Sequence, residues 1–190
     1  MLLGDCHPVK AILQYEDLFM GGKIMIIGNA GGGKSTLAKQ LSKAKNLPLY
    51  RLDALQWNSG WIATPKEEFE RQHDELITQN TWIIDGFASW KSIEKRCAAA
   101  DTIILVDHPL LIHYWWAIKR QFMCIFRPRP DFIEGCPMLP MTGKLLKMIW
   151  SIHTQTRPRL IKLVNSYQGT KWVYHIKSPP ELKQLINEHC

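Results

Sequence analysis

Gly28-Asn29-Ala30-Gly31-Gly32-Gly33-Lys34-Ser35 places glycine, lysine and a hydroxyl residue at the spacing G-x-x-x-x-G-K-[ST], with Thr36 next. Each residue type has a chemical reason to stand there. Glycines allow a turn tight enough for successive backbone N–H groups to point inward at phosphate oxygens, at a helix N-terminus whose dipole favours the same anion. Lys34 supplies a cation for β- and γ-phosphates, and the Ser35 hydroxyl is a ligand for Mg²⁺. Gly28, Asn29, Ala30, Gly31, Gly32, Gly33, Lys34, Ser35 and Thr36 together read as a nucleotide-binding P-loop, with ATP and Mg²⁺ the expected cofactors. The setting agrees: apolar Ile24-Met25-Ile26-Ile27 precedes the loop, and Leu37-Ala38-Lys39-Gln40-Leu41, a helix-forming run, follows it.

A metal beside bound phosphates is commonly oriented by an acid at the end of a neighbouring strand. Two segments have that form, Trp82-Ile83-Ile84-Asp85-Gly86-Phe87 and Ile103-Ile104-Leu105-Val106-Asp107. Asp85 is preferred with Ser35 as the metal pair, because Gly86 lets the backbone approach a ligand whereas Asp107 runs into His108-Pro109. Both aspartates are also compatible with purely structural roles.

The elements that must carry these residues alternate. Short apolar runs at Lys23 to Ile27, Leu47 to Leu52, Thr81 to Ile84, Thr102 to Val106 and Lys171 to Ile176 suit buried parallel strands. Helical spacing covers Lys34 to Ala44, Lys66 to Gln79, Leu110 to Phe126, Lys144 to Ser166 and Pro180 to Glu188. Thr64-Pro65, with Glu67 and Glu68 just beyond, marks a helix start. Residues 1 to 22 lack strong periodicity and form an expected N-terminal extension, leaving 23 to 190 as a single domain. The stretch RPRPDFIEGCPMLPMTG is dense in Pro and Gly and should leave the core.

Size and composition limit the classes. A chain of 190 residues, 46% hydrophobic and 22% charged, is a one-domain globular protein rather than a disordered one. The five cysteines are scattered without a C-x-x-C pair, which argues against a zinc or redox site and for a reducing, cytoplasmic setting. The N-terminus does not resemble a secretory signal, and Leu110 to Phe126, the most apolar segment, is broken by His113, Lys119 and Arg120. No membrane association is expected. The net charge of +7 permits nucleic acid as a partner, but no helix-turn-helix signature, ribonucleoprotein motif or long basic tail favours it.

Taken in order, GNAGGGKST, LPLYRLDALQW, WIIDGF, ADTIILVDHP and RPRPDFIEGCP resemble the adenylate-kinase-related P-loop kinases, most closely the FlaR-type group of DNA topology modulation proteins. The similarity runs from about Lys23 to the C-terminus. It implies an α/β fold of three layers, the P-loop NTPase fold with a five-stranded parallel sheet, a substrate-binding helical segment after the second strand, and a small lid around 120 to 143. By the same similarity Asp53, at the end of the second strand, accepts or orients an acceptor hydroxyl; a helix cap is the alternative. Trp57 and Trp61 are suited to stacking on a flat acceptor or to core packing.

Phosphoryl transfer needs fixed positive charge on the oxygens whose charge shifts, and planar arginine forks supply it. Arg120, Arg127 and Arg129, just before or within the Pro-Gly-rich stretch, are the expected lid arginines; solvated surface charge is the competing reading. Arg157 and Arg159 are weaker candidates. The chain departs from nucleoside monophosphate kinases after Asp85-Gly86-Phe87, where Ala88-Ser89-Trp90 stands in place of Pro-Arg. The arginine that holds an acceptor phosphate in those kinases is thus missing there, and Arg96 is the nearest substitute. The leading expectation is an ATP- and Mg²⁺-dependent phosphotransferase acting on a nucleoside, a nucleotide or another small hydroxyl compound. The alternatives are an ATP-binding regulator or nucleic-acid-associated protein on a kinase fold, and a plain ATPase.

Overall fold

The computed structural model describes residues 21–126, 136–137 and 139–190. Nearly all of the expected N-terminal extension, and Arg127 and Arg129 of the expected lid, lie outside the described residues. Five strands make one parallel sheet: β1 (Lys23–Gly28), β2 (Leu49–Arg51), β5 (Trp82–Asp85), β6 (Thr102–Val106) and β7 (Trp172–Ile176), in the order β2-β5-β1-β6-β7. Two short strands, β3 (Trp57–Asn58) and β4 (Ile62–Ala63), form a separate antiparallel hairpin.

The sheet has a core on each face because alternate residues of its central strands point opposite ways. Met25, Ile27, Ile84, Ile103 and Leu105 pack with Leu52, Phe69, Ile93, Cys97, Leu160 and Val164 on one face. Ile24, Ile26, Ile83, Ile104 and Val106 pack with Leu37, Ala38, Leu41, Leu182 and Leu185 on the other. The first face is thereby covered by α3 (Lys66–Thr78), α4 (Trp90–Ala99) and α7 (Arg157–Asn165), the second by α1 (Lys34–Lys45) and α8 (Pro179–His189). This is the three-layer α/β architecture of the P-loop NTPase fold.

Boundaries deviate from periodicity where side-chain pattern is uninformative. The second strand shrinks to three residues because Leu52 turns into a short helix, α2 (Leu52–Gln56), carrying Asp53 in its first turn. Helix α4 has no counterpart among the expected helices; its start is fixed by the Ser89 hydroxyl, which accepts from the Ser92 N–H at 3.3 Å. The long helix expected at 144 to 166 is broken into α6 (Thr142–Ser151), a π-helical turn at Ile152–Thr156, and α7. Pro158 stands at the start of α7, where its missing N–H and the preceding π turn coincide.

Helix α5 (Leu110–Phe126) shows two stripes. His113, Ala117 and Gln121 are buried, while Leu111, Trp115, Ile118 and Phe122 are exposed. No helix among the described residues is long and apolar enough to cross a membrane.

Asp107, the rival acid at the end of β6, is engaged elsewhere. Arg157 donates to it in a fork, Nε to Oδ1 at 2.5 Å and Nη2 to Oδ2 at 3.0 Å, and His175 Nε2 lies 2.8 Å from Oδ2. The cluster ties α7 to β6 and β7 just past the π turn. Asp107→Ala should lower unfolding stability by about 1–2 kcal/mol, at the low end for a buried paired carboxylate because Arg157 stays partly hydrated. Urea unfolding measures this; an unchanged midpoint would remove the cluster from the account of how α7 is held.

Candidate functional site

The P-loop crosses from β1 to α1 over the carboxyl edge of the sheet, the usual ligand side of an open parallel α/β sheet. Two of its glycines are obligatory on geometry. At Gly28, with φ of +144°, a Cβ would stand 2.1 Å from the Val106 carbonyl oxygen. At Gly31, with φ of +69°, it would stand 2.4 Å from the His113 carbonyl oxygen of α5. Helix α5 is therefore packed directly on the loop backbone. The His113 ring completes the brace, with Nδ1 2.9 Å from the Ala30 carbonyl oxygen. Burial pushes the His113 imidazole down to about 4, so it stands neutral with its Nδ1–H directed at Ala30.

Asn29 fixes the loop from its other side. Its Oδ1 accepts from the Ala30 N–H at 2.8 Å, and its Nδ2 donates to the Ile149 carbonyl of α6 at 2.8 Å. Lys34 Nζ donates to the Asn29 carbonyl at 2.7 Å. Desolvation by burial lowers the lysine's pKa against the raising influence of Asp85 and Asp53.

Ser35 Oγ donates to Asp85 Oδ2 at 2.7 Å, which brings the two expected metal residues into contact. The other carboxylate oxygen, Asp85 Oδ1, is buried with no hydrogen-bond partner among the described residues. Burial is the main cause of the raised Asp85 pKa, offset in part by Lys34 and Ser35. An orphaned oxygen beside a serine hydroxyl is a donor set that fits Mg²⁺, which keeps several waters and takes few protein ligands. No group of three or more His, Cys, Asp or Glu ligands is present among the described residues.

A cavity of about 710 Å³ opens from the P-loop. The P-loop end is lined by Gly28, the loop from Ala30 to Thr36, and Trp116 and Arg120 of α5. The far end is lined by Asp53 and Gln56 of α2, the hairpin rings Trp57 and Trp61, Phe87 and Ala88 after β5, and Lys144, Leu145 and Met148 of α6. Of the sequence candidates, Lys34, Ser35, Asp85, Asp53, Trp57, Trp61 and Arg120 thus share one cavity. Asn29 does not line it and acts on the loop from beneath.

Two expectations are corrected. Arg96 does not substitute for a phosphate-binding arginine: it is fully buried, donating from Nη1 to the Gly86 carbonyl at 3.0 Å and from Nε to Ser92 O at 3.3 Å. It supports the turn after Asp85 from within the core. Arg159 lies away from the cavity, over the Trp90 ring at 3.8 Å and 3.6 Å from Glu94.

His113, Trp116, Gln56 and Lys144 were not singled out from sequence. His113, Trp116 and Arg120 do lie at helical spacing on one side of α5, a signal masked because apolar residues stand on every side of the segment. Gln56 and Lys144 carry no such signal, since their position depends on the fold of α2 and α6.

Comparison with known proteins agrees with this architecture. A family model described as ethanolamine utilisation – propanediol utilisation (PduV-EutP) matches residues 21–82, less than half of the chain but including the P-loop. No curated protein matches. Among solved structures, shikimate kinase from Acinetobacter baumannii in complex with shikimate is similar at 14% identity, covering 91% of this chain and 93% of that one with a TM-score of 0.56. A gluconokinase from Sinorhizobium meliloti 1021 is similar at 14% identity, over 90% of each chain, with a TM-score of 0.51. Shikimate kinase from Bacteroides thetaiotaomicron is similar at 12% identity over 86% and 93%, with a TM-score of 0.50. At such identities the likeness is one of fold, and the fold is that of P-loop NTPases.

The buried neutral His113 links stability to pH. Its folded pKa is depressed from 6.5 to about 4, so the stability it contributes is present above pH 6.5 and is lost as pH falls towards 4. His113→Gln, which keeps a donor for Ala30 without the titration, should show a shallower fall in thermal midpoint across that window. An identical pH profile in both proteins would contradict the assignment.

Proposed function

We propose that the chain is an ATP- and Mg²⁺-dependent phosphotransferase that moves the γ-phosphoryl group to a hydroxyl of a small acceptor, a nucleoside or nucleotide foremost. The observation that supports this best is a single cavity holding a P-loop at one end and the Asp53 carboxylate among aromatic rings at the other. The kinases of similar fold named above act on small hydroxyl compounds by their titles, which agrees with this reading.

The roles follow from chemistry. The P-loop N–H groups and Lys34 bind the β- and γ-phosphates and take up charge as the bond to the leaving oxygen lengthens. Ser35 and, through water, Asp85 would hold Mg²⁺, which when bound neutralises phosphate charge. Asp53 accepts the acceptor's hydroxyl proton as its oxygen bonds to the γ-phosphorus, and ADP departs. Arg120, on the α5 face beside the loop, adds positive charge near Lys34. Arg127 and Arg129 are carried over from the family resemblance as further donors to the same oxygens. Asp107, held by Arg157 and His175, is assigned no metal role.

Steady-state ADP release, measured with and without acceptors and with Lys34→Ala as the blank, tests these assignments. Asp53→Asn should lower kcat by about 10²- to 10⁴-fold while leaving ATP affinity unchanged, as expected when a general base is removed. Undiminished kcat in Asp53→Asn would end its role as base. ATP binding without turnover would shift weight to the ATP-binding regulator, and turnover that no acceptor stimulates to a plain ATPase.

A further inference from the structure

The two ends of the cavity differ in chemistry. At the P-loop end the ligand meets Lys34, Arg120 and a ring of backbone donors. At the acceptor end the described residues are mostly apolar: Trp57, Trp61, Phe87, Ala88, Leu145 and Met148. Among the described residues the formal charges there are one anion, Asp53, and one cation, Lys144, which cancel. Of the described arginines, Arg51 at the end of β2 is outside the lining, and Arg96 donates to the Gly86 carbonyl.

That balance decides between acceptor classes. A phosphate or carboxylate loses its hydration on entering such a pocket and needs charge-assisted bonds, best given by an arginine fork, to recover the cost. Among the described residues, one lysine opposed by an aspartate does not supply them. Asp53 also repels an anionic acceptor at the point where it must draw close, so the residue that accepts the proton selects against negative charge.

The aromatic wall has a second peculiarity. Trp61 holds φ of +62°, a left-handed conformation rare for a bulky residue and tolerated only where surrounding contacts over-determine it. Those contacts are present. Trp61 N–H donates to Cys136 Sγ at 3.4 Å, its indole Nε1–H donates to the Pro137 carbonyl at 3.0 Å, and Cys136 Sγ donates to the Asn58 carbonyl at 3.4 Å. The one polar atom of the ring is thus already engaged, and what it offers the cavity is hydrocarbon and π surface. Trp57 stands against it edge-on, centroids 5.7 Å apart at 75°, so the pair presents a corner of two rings rather than a flat wall.

Building on the phosphotransferase reading, we infer that the acceptor is an uncharged ring-bearing alcohol, a nucleoside or an aromatic or alicyclic alcohol of similar size, and not its phosphorylated or carboxylated counterpart. The ring lies in the Trp57–Trp61 corner, the hydroxyl faces Asp53, and Gln56 and Lys144 provide polar contacts.

The test uses matched pairs on the full chain with ATP and Mg²⁺: nucleosides against their 5′-monophosphates, and neutral ring alcohols against their carboxylated analogues. In each productive pair the uncharged member should give a kcat/KM at least about tenfold higher, the scale of one uncompensated charge. Preference for the anionic member overturns the inference while leaving the kinase reading intact. ADP release that no member stimulates overturns both. Trp57→Ala should raise acceptor KM about tenfold with ATP affinity unchanged, and Trp57→Phe should restore most of it, since stacking needs a ring rather than an indole N–H. Equal KM values for Trp57→Ala and wild type, in a variant whose unfolding midpoint is retained, contradict the stacking.

Discussion

The structure depends on how closely α5 can lie against the P-loop. A loop that turns its N–H groups towards phosphate exposes no side chains with which to hold itself in shape, so its rigidity must come from neighbours. Here the neighbours are backbone and ring atoms of α5, at a separation that only glycine permits, on one side, and the Asn29 bridge to Ile149 of α6 on the other. Two of the helices that line the cavity are therefore the two that fix the loop. A change in either reaches the phosphate-binding groups without crossing a hinge.

Charge is arranged around that loop at some cost. Lys34 is half-buried and Asp85 buried, each resisting ionisation by desolvation and each favouring it in the other. Such a pair adds little to net stability. On the proposed phosphotransferase reading, its value is that the cation and the carboxylate stand preorganised, with little solvent to rearrange when charge moves on a phosphoryl group. The second acid of the sheet edge, Asp107, has the opposite fate: it is satisfied by Arg157 and His175 and anchors the helix beyond the π turn. Two aspartates that look alike in sequence, each ending an apolar strand, are divided between site and scaffold by what packs above them.

The sheet and most helices were legible because their signals are local. Lys23 to Ile27 and Thr102 to Val106 are apolar on both faces, and Gly33-Lys34 announces a helix start. What was hidden depends on tertiary packing. Helix α4 offers only a modest pattern and is fixed by a serine cap and by Arg96, whose burial no charged residue advertises. The break in the long helix is marked by Pro158, yet a π turn at Ile152–Thr156 carries no signal in the side-chain pattern. At the site, the P-loop residues and Asp85 were readable from motif and strand end. His113, Gln56 and Lys144 were not, because only the folded arrangement of α5, α2 and α6 brings them to the cavity or to the loop.

The central claim is that the cavity transfers a phosphoryl group from ATP to a hydroxyl rather than to water. Following the products by ³¹P NMR in the presence of ATP, Mg²⁺ and the best uncharged ring alcohol tests it most directly. A phosphomonoester signal that grows in step with ADP is the predicted result. ADP accompanied by inorganic phosphate alone, at a rate indifferent to the alcohol, would contradict it and make the protein an ATPase.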